Sequence, residues 1–231
     1  MAVLVLVRHG HSTANADGVL AGWTPDVHLT STGREQAADV AGQLAGIPVQ
    51  ALYVSPVLRA VQTAQIIGEG LNVAAVEDVG LGECRYGAWT GRSLAELRDE
   101  PLWRTVQDDP AHASFPPGDY PSESLTEMTD RLMASVRRLD SVVEQRAGAD
   151  AVWVAVSHGD PIKAVLAVAG GADVSALQRH HVDPGALCVV RFAGERAIVL
   201  AANCRTLDLP RLVGATAAPT PGEAAVGGGA G

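Results

Sequence analysis

Two short apolar runs constrain this chain more than anything else in it. Val3-Leu4-Val5-Leu6-Val7 leads directly into Arg8-His9-Gly10, and Ala151-Val152-Trp153-Val154-Ala155-Val156 leads into Ser157-His158-Gly159. Runs this short, rich in β-branched residues and bounded by glycine, read as buried strands of a parallel sheet. Such a sheet places its crevice at the carboxyl ends of its strands. Two histidines delivered to that edge can therefore face one another across one crevice. With Arg8 beside the first and Arg59 as a second arginine, the crevice becomes a cationic cup suited to phosphate.

The rest of the chain supplies the layers around such a sheet. Ser31 or Thr32 can cap a helix that runs to about Ala45, before Gly46 and Pro48. Ala51-Leu52-Tyr53-Val54 reads as a strand, and Ser55-Pro56 as the cap and first turn of a helix that carries Arg59 to about Gly68. Val73 to Val76 reads as a third, weaker strand. Shorter helical pieces are expected over Ser93–Arg98 and Leu102–Gln107. Ser124 and Glu127 form a capping box that opens a long helix with Leu125, Met128, Leu132, Val136, Leu139 and Val143 on its apolar face. A further helix is expected from Pro161 to Ala169. Leu187–Phe192 and Ala197–Ala202, joined through Gly194-Glu195, read as a terminal hairpin. The expectation is an α/β fold, a three-layer α/β/α sandwich on a mixed, mostly parallel sheet.

The 231 residues fit one domain, expected over residues 1–210. The Ala/Gly/Pro-rich residues 211–231 are expected to form a disordered tail. A formal charge of −9 argues against a broad nucleic-acid or anionic-membrane surface, though not against a small anion in a locally basic pocket. Cys84, Cys188 and Cys204 show no metal-site spacing and suit a reduced cytosol. The first apolar run is too short for a leader, and no stretch has a membrane-spanning length. These features give the expectation of a cytoplasmic protein. A homodimer is left open, since pattern alone does not separate an apolar edge strand from core.

His9 is the nucleophile candidate, because a neutral imidazole can take up a phosphoryl group and split one displacement into two. Arg8, Arg59 and His158 can supply donors to the phosphoryl oxygens. Glu83 is the acid candidate: in its setting beside Tyr86 and Trp89, burial would raise its carboxyl toward neutrality. His11 lies in the same loop as His9 and could rim the pocket. His28, His112, His180 and His181 read as surface residues. Trp153 reads as core, and Trp23 and Trp89 as cleft or packing residues. Asp160 follows the second His-Gly directly.

Taken together, five segments carry a resemblance. They are Leu6-Val7-Arg8-His9-Gly10-His11-Ser12-Thr13 with Asn15; Leu29-Thr30-Ser31-Thr32-Gly33-Arg34-Glu35-Gln36-Ala37; Ser55 through Ala64; Glu83 through Gly91; and Val156-Ser157-His158-Gly159. In that order they resemble the histidine phosphatase superfamily, its phosphoglycerate mutase-like branch. The resemblance implies His9 as phosphate acceptor, Arg8, Arg59 and His158 as phosphate pocket, and Glu83 as proton donor. It also suggests Asn15, Gly22, Tyr86 and the backbone of Gly159 as substrate-binding groups, with no metal and no cofactor.

Ala21-Gly22-Trp23 and the Glu83-to-Gly87 segment look similar to the cofactor-dependent mutases. Gly91-Arg92-Ser93-Leu94, the single arginine of Trp103-Arg104-Thr105, and Asp160-Pro161 depart from them. The expectation is a phosphomonoester hydrolase acting on a small phosphorylated metabolite. A phosphoglycerate mutase-type enzyme is the alternative, and a catalytically idle phospholigand-binding protein a more distant one.

Overall fold

Side-chain alternation along the strands sorts the core into two layers. The computed structural model describes residues 2–193 and 196–213. In chain order the elements are β1 (Val3–Arg8), α1 (Thr13–Ala16), α2 (Ser31–Leu44), β2 (Val49–Val54), α3 (Leu58–Leu71) and β3 (Ala75–Glu77). Then come α4 (Leu94–Leu97), α5 (Pro101–Asp108), α6 (Leu125–Ala147), β4 (Val152–Ser157) and α7 (Gly159–Ala169). The hairpin strands β5 (Leu187–Ala193) and β6 (Arg196–Cys204) follow, and then α8 (Leu209–Val213).

Among the described residues the strands form one sheet in the order β3-β2-β4-β1-β5-β6. The first four run parallel, while β5 and β6 are antiparallel to their neighbours. Val3, Val5 and Val7 with Val152, Val154 and Val156 pack on one face against Val40 and Leu44 of α2 and Ala60, Ala64 and Ile67 of α3. Leu4, Leu6, Trp153 and Ala155 pack on the other against the apolar stripe of α6 and against Ile162 and Val165 of α7. A strand buried on both faces reads as an unbroken apolar run, the pattern seen in β1 and β4. This is the expected mixed α/β/α sandwich.

Element ends differ in detail from expectation. Thr30, not Ser31 or Thr32, caps α2, accepting from the Gly33 N–H. The third strand lies at Ala75–Glu77 rather than Val73–Val76. Ser124 and Glu127 form the expected capping box on α6. The hairpin turn at Gly194-Glu195 and residues 214–231 of the expected tail lie outside the described residues, whereas α8 continues helical chain across Pro210. No helix of the described residues is long and apolar enough to cross a membrane.

Candidate active site

Strand register brings the two histidines together. Arg8 stands opposite Ser157 in the β1–β4 ladder, so His9 and His158 leave adjacent parallel strands at the same level. The His9 N–H then donates to the Ser157 carbonyl at 2.9 Å. Their rings meet edge to face, centroids 5.1 Å apart, and both residues are buried. The turn after β1 closes tightly on the start of α2. A Cβ on Gly10 would sit 2.2 Å from the Gly33 carbonyl oxygen, and one on Gly33 would sit 2.0 Å from that of His11. Only glycine fits at either position.

Hydrogen bonding fixes the His9 tautomer. Its Nδ1 lies 2.8 Å from the Gly10 carbonyl oxygen, which can only accept, so Nδ1 carries the proton. The Nε2 lone pair accepts from the Arg59 Nε–H at 3.1 Å. Burial, then the charges of Arg59 and Arg8, hold this imidazole well below its usual pKa, hence neutral.

His158 is oriented from behind by Ser55, whose Oγ lies 2.7 Å from Nε2. Ser55 Oγ also accepts the Val57 N–H, and in the tautomer in which Ser55 donates its own proton to His158 Nε2 the imidazole proton sits on Nδ1. That Nδ1 is buried without a partner, 3.8 Å from Glu83 Oε2. Ser55 was expected to cap a helix. Instead α3 begins at Leu58 after an extended Val57, and the Ser55 hydroxyl serves both the Val57 N–H and the histidine.

Two arginines complete the basic wall. Arg59, 2% exposed, projects from the first turn of α3. Its Nη2 donates to the Gly22 carbonyl at 3.1 Å, and its Nη1 has no hydrogen-bond partner among the described residues. Gly22 holds φ +49°, a left-handed backbone that turns this carbonyl toward the guanidinium. Arg8 donates through Nη1 to the Val182 carbonyl, leaving its buried Nε unpaired.

Glu83 reaches the same place from a loop. Its Oε1 accepts the Cys84 N–H at 3.0 Å, and Oε2 lies 3.8 Å from Arg59 Nη2. Burial first, and the negative charge of Asp160 second, raise its carboxyl to about 7 against the opposing pull of Arg59. The loop is held by its main chain: Trp23 Nε1 donates to the Glu83 carbonyl at 2.8 Å, and Arg131 Nη2 to the same oxygen at 3.2 Å.

Arg8, His9, Arg59 and Glu83 line one cavity of about 220 Å³, together with Asn15, Gly22, Tyr86 and Gly159. Of the residues assigned to the site from the sequence, all but His158 line it, and the His158 ring meets that of His9. Two of the lining residues are also engaged by neighbouring groups. The Tyr86 hydroxyl donates to Asp160 Oδ2 at 2.8 Å, and Asp160 lines the same cavity. Asn15 Oδ1 is engaged by the Ser12 N–H and hydroxyl in the cap of α1, which leaves the amide nitrogen available to a ligand.

His11 does not line the cavity. Its ring bonds Thr30 Oγ1, and its backbone N–H donates to Gln36. Sequence reasoning gave no role to Lys163, whose Nζ lies 3.3 Å from Asp160 Oδ1. The i,i+3 spacing of Asp160 and Lys163 in the helix after the second His-Gly is the signal that could have found it. His181, expected at the surface, is exposed beside Asp183 yet also rims the cavity. Among the described residues no three His, Cys, Asp or Glu side chains are grouped to hold a metal ion.

Residues 4–205 match the model of the histidine phosphatase superfamily (branch 1). The chain belongs to that superfamily. Among superfamily members it is similar to the 2,3-bisphosphoglycerate-dependent phosphoglycerate mutase of Thermoplasma acidophilum, 32% identical over 166 residues, covering 72% of this chain and 75% of the mutase. It is likewise similar to an uncharacterized phosphatase of Bacillus subtilis, 30% identical over 197 residues, 85% of this chain and 91% of the other. The solved structure of the mycobacterial glucosyl-3-phosphoglycerate phosphatase in complex with VO3 aligns with a TM-score of 0.77 at 25% identity. That match covers 87% of this chain and 98% of the other. The expected superfamily and fold are thus both found, and relatives of both catalytic types occur.

Proposed function

We propose that the protein is a metal-independent phosphomonoester hydrolase that acts on small phosphorylated metabolites through a phosphohistidine at His9. One observation carries this reading. Among the described residues, three buried nitrogens have no hydrogen-bond partner, Arg8 Nε, Arg59 Nη1 and His158 Nδ1; they belong to side chains that neighbour a neutral imidazole whose Nε2 holds the lone pair, with a carboxyl of raised pKa in the same site. Buried donors left unpaired are costly, and the oxygens of a bound phosphoryl group are acceptors of the kind that would satisfy them.

The chemistry follows in two displacements. His9 Nε2 bonds to phosphorus as the ester P–O bond breaks, and Glu83 gives its proton to the departing oxygen. Water then attacks phosphorus as the P–Nε2 bond breaks, returning a proton to Glu83. The alcohol and inorganic phosphate are released. Side-chain cations neutralise the transferring group throughout, so no step calls for a metal ion.

Hydrolysis is favoured over phosphoryl return because the cavity has few cations to spare for a second anion. Arg104, the single arginine of its segment, pairs with Asp108 and is largely exposed. Arg92 pairs with Glu100, and Lys163 pairs with Asp160. The mutase-like relatives bear on this point, and phosphorus NMR decides it. On 3-phosphoglycerate with catalytic bisphosphate, in EDTA, we expect only inorganic phosphate to grow. A growing 2-phosphoglycerate signal would make the protein a mutase. Activity lost to EDTA would overturn metal independence.

A further inference from the structure

A second cavity, of about 200 Å³, opens beside the first and shares Leu20, Tyr86, Leu94, Asp160 and Lys163 with it. Nothing in the phosphoryl chemistry above uses its remaining walls: the aromatic Trp89, Trp103 and Phe115 with Val106, and the amides Gln107 and Gln178. Trp103 of α5 stacks on Trp89 at 6.3 Å. Phe115 sets its ring edge-to-face against Tyr86 at 4.9 Å and against Trp89 at 5.5 Å. Trp89 and Phe115 are buried, whereas Trp103 and Leu94 keep part of their surface open. This annex is therefore a rigid aromatic wall with an accessible apolar lip, joined to the phosphate site.

Its charges cancel at the seam. Lys163 Nζ sits 3.3 Å from Asp160 Oδ1 and 3.3 Å from Gln178 Oε1, and the Tyr86 hydroxyl is donated to the same Asp160. No cation is left over for a carboxylate or second phosphate there, while an uncharged apolar body would be received without any loss of pairing.

We propose that the annex holds the leaving group, and that the substrate is the phosphate monoester of an alcohol carrying an uncharged ring or similarly flat apolar body. This rests on the hydrolase reading of the same site. The size agrees: an apolar cavity of roughly 150 Å³ accepts benzene, so the annex accommodates one ring on a short linker.

Esters with matched leaving groups test this, because activated aryl phosphates would speed the chemistry whatever the fit. The full chain is assayed on benzyl phosphate against ethyl phosphate. In parallel, calorimetry measures its binding of benzylphosphonate and ethylphosphonate, which cannot be hydrolysed. Burying one ring predicts a benzyl preference of about 10- to 100-fold in both kcat/KM and affinity. Trp103→Ala should close most of that gap.

Parity between benzyl and ethyl in the wild-type chain would overturn the proposal, as would a preference that Trp103→Ala leaves intact. Should Trp103→Ala fail to fold, Gln107→Glu is read the same way, since it sets a carboxylate at the far wall from a half-buried position. Tight benzylphosphonate binding with no ester turned over would keep the annex and remove the hydrolase. Turnover with parity would do the reverse.

Discussion

The two sides of the site are fixed by different means. His9 and His158 stand one residue past paired positions of a parallel ladder, so backbone hydrogen bonds between two central strands set their separation. Glu83 stands on a loop and is aimed by side chains that grip its main chain: Trp23 from one loop and Arg131 from α6. The nucleophile side is as rigid as the sheet, while the acid side depends on a few individual hydrogen bonds. That division matches the chemistry. The phosphoryl group needs fixed donors from start to finish, whereas the acid must serve alcohols of different shape and then a water.

The largest test of this contrast removes the ladder-borne nucleophile. His9→Ala should lower kcat by about 10⁴-fold or more and abolish covalent labelling by a radioactive phosphomonoester, and normal turnover would refute the assignment. Next, Glu83→Gln should slow alkyl phosphates by about 10²- to 10⁴-fold yet slow 4-nitrophenyl phosphate far less, since a good leaving group departs without a proton. Equal slowing of both would take the acid role from Glu83.

The third test is a pH profile. In its proposed role Glu83 donates only while protonated, and burial with Asp160 raises its carboxyl to about 7, so kcat/KM on alkyl phosphates should hold below that pH and fall above it. Asp160→Asn removes a negative charge that helps raise Glu83, which makes ionisation easier, so the fall should move to lower pH. A profile that stays in place would show that Asp160 does not tune the acid. Smallest is Trp23→Phe, which deletes one donor to the Glu83 carbonyl. About 1 kcal/mol of stability should be lost on thermal melting, with a few-fold decrease confined to alkyl substrates. A loss shared equally by aryl substrates would mean the loop positions more than the acid.

The same contrast explains what could be read from the sequence. Strands buried on both faces are written as unbroken apolar runs, so β1 and β4 were plain, and with them His9, His158 and the edge where a ligand belongs. Arg59 followed from the strand–helix order. The capping box of Ser124 and Glu127 located α6 because its signal lies within four consecutive residues. What stayed hidden depends on contacts between distant segments. Ser55 looked like a helix cap because capping is its commonest local use, and its bond to His158 comes from the far end of the chain. The tuning of Glu83 was ascribed to its aromatic neighbours, whereas the charge that assists burial belongs to Asp160 on α7. His11, adjacent to the pocket in sequence, turns away because Thr30 and Gln36 satisfy it.

The sheet order also bears on how the chain reaches this structure. β1 precedes the other strands in chain order, yet its partners in the sheet are β4 and β5, both beyond residue 150. Until those strands emerge from the ribosome, an apolar strand waits with both edges open, the condition that favours aggregation and chaperone capture. The phosphate pocket, which needs β1 and β4 side by side, can form only in the closing steps of folding. In the proposed function, acquisition of phosphate binding would therefore report the pairing of β1 with β4, and a refolding chain should gain helical content before it gains the ability to bind phosphate.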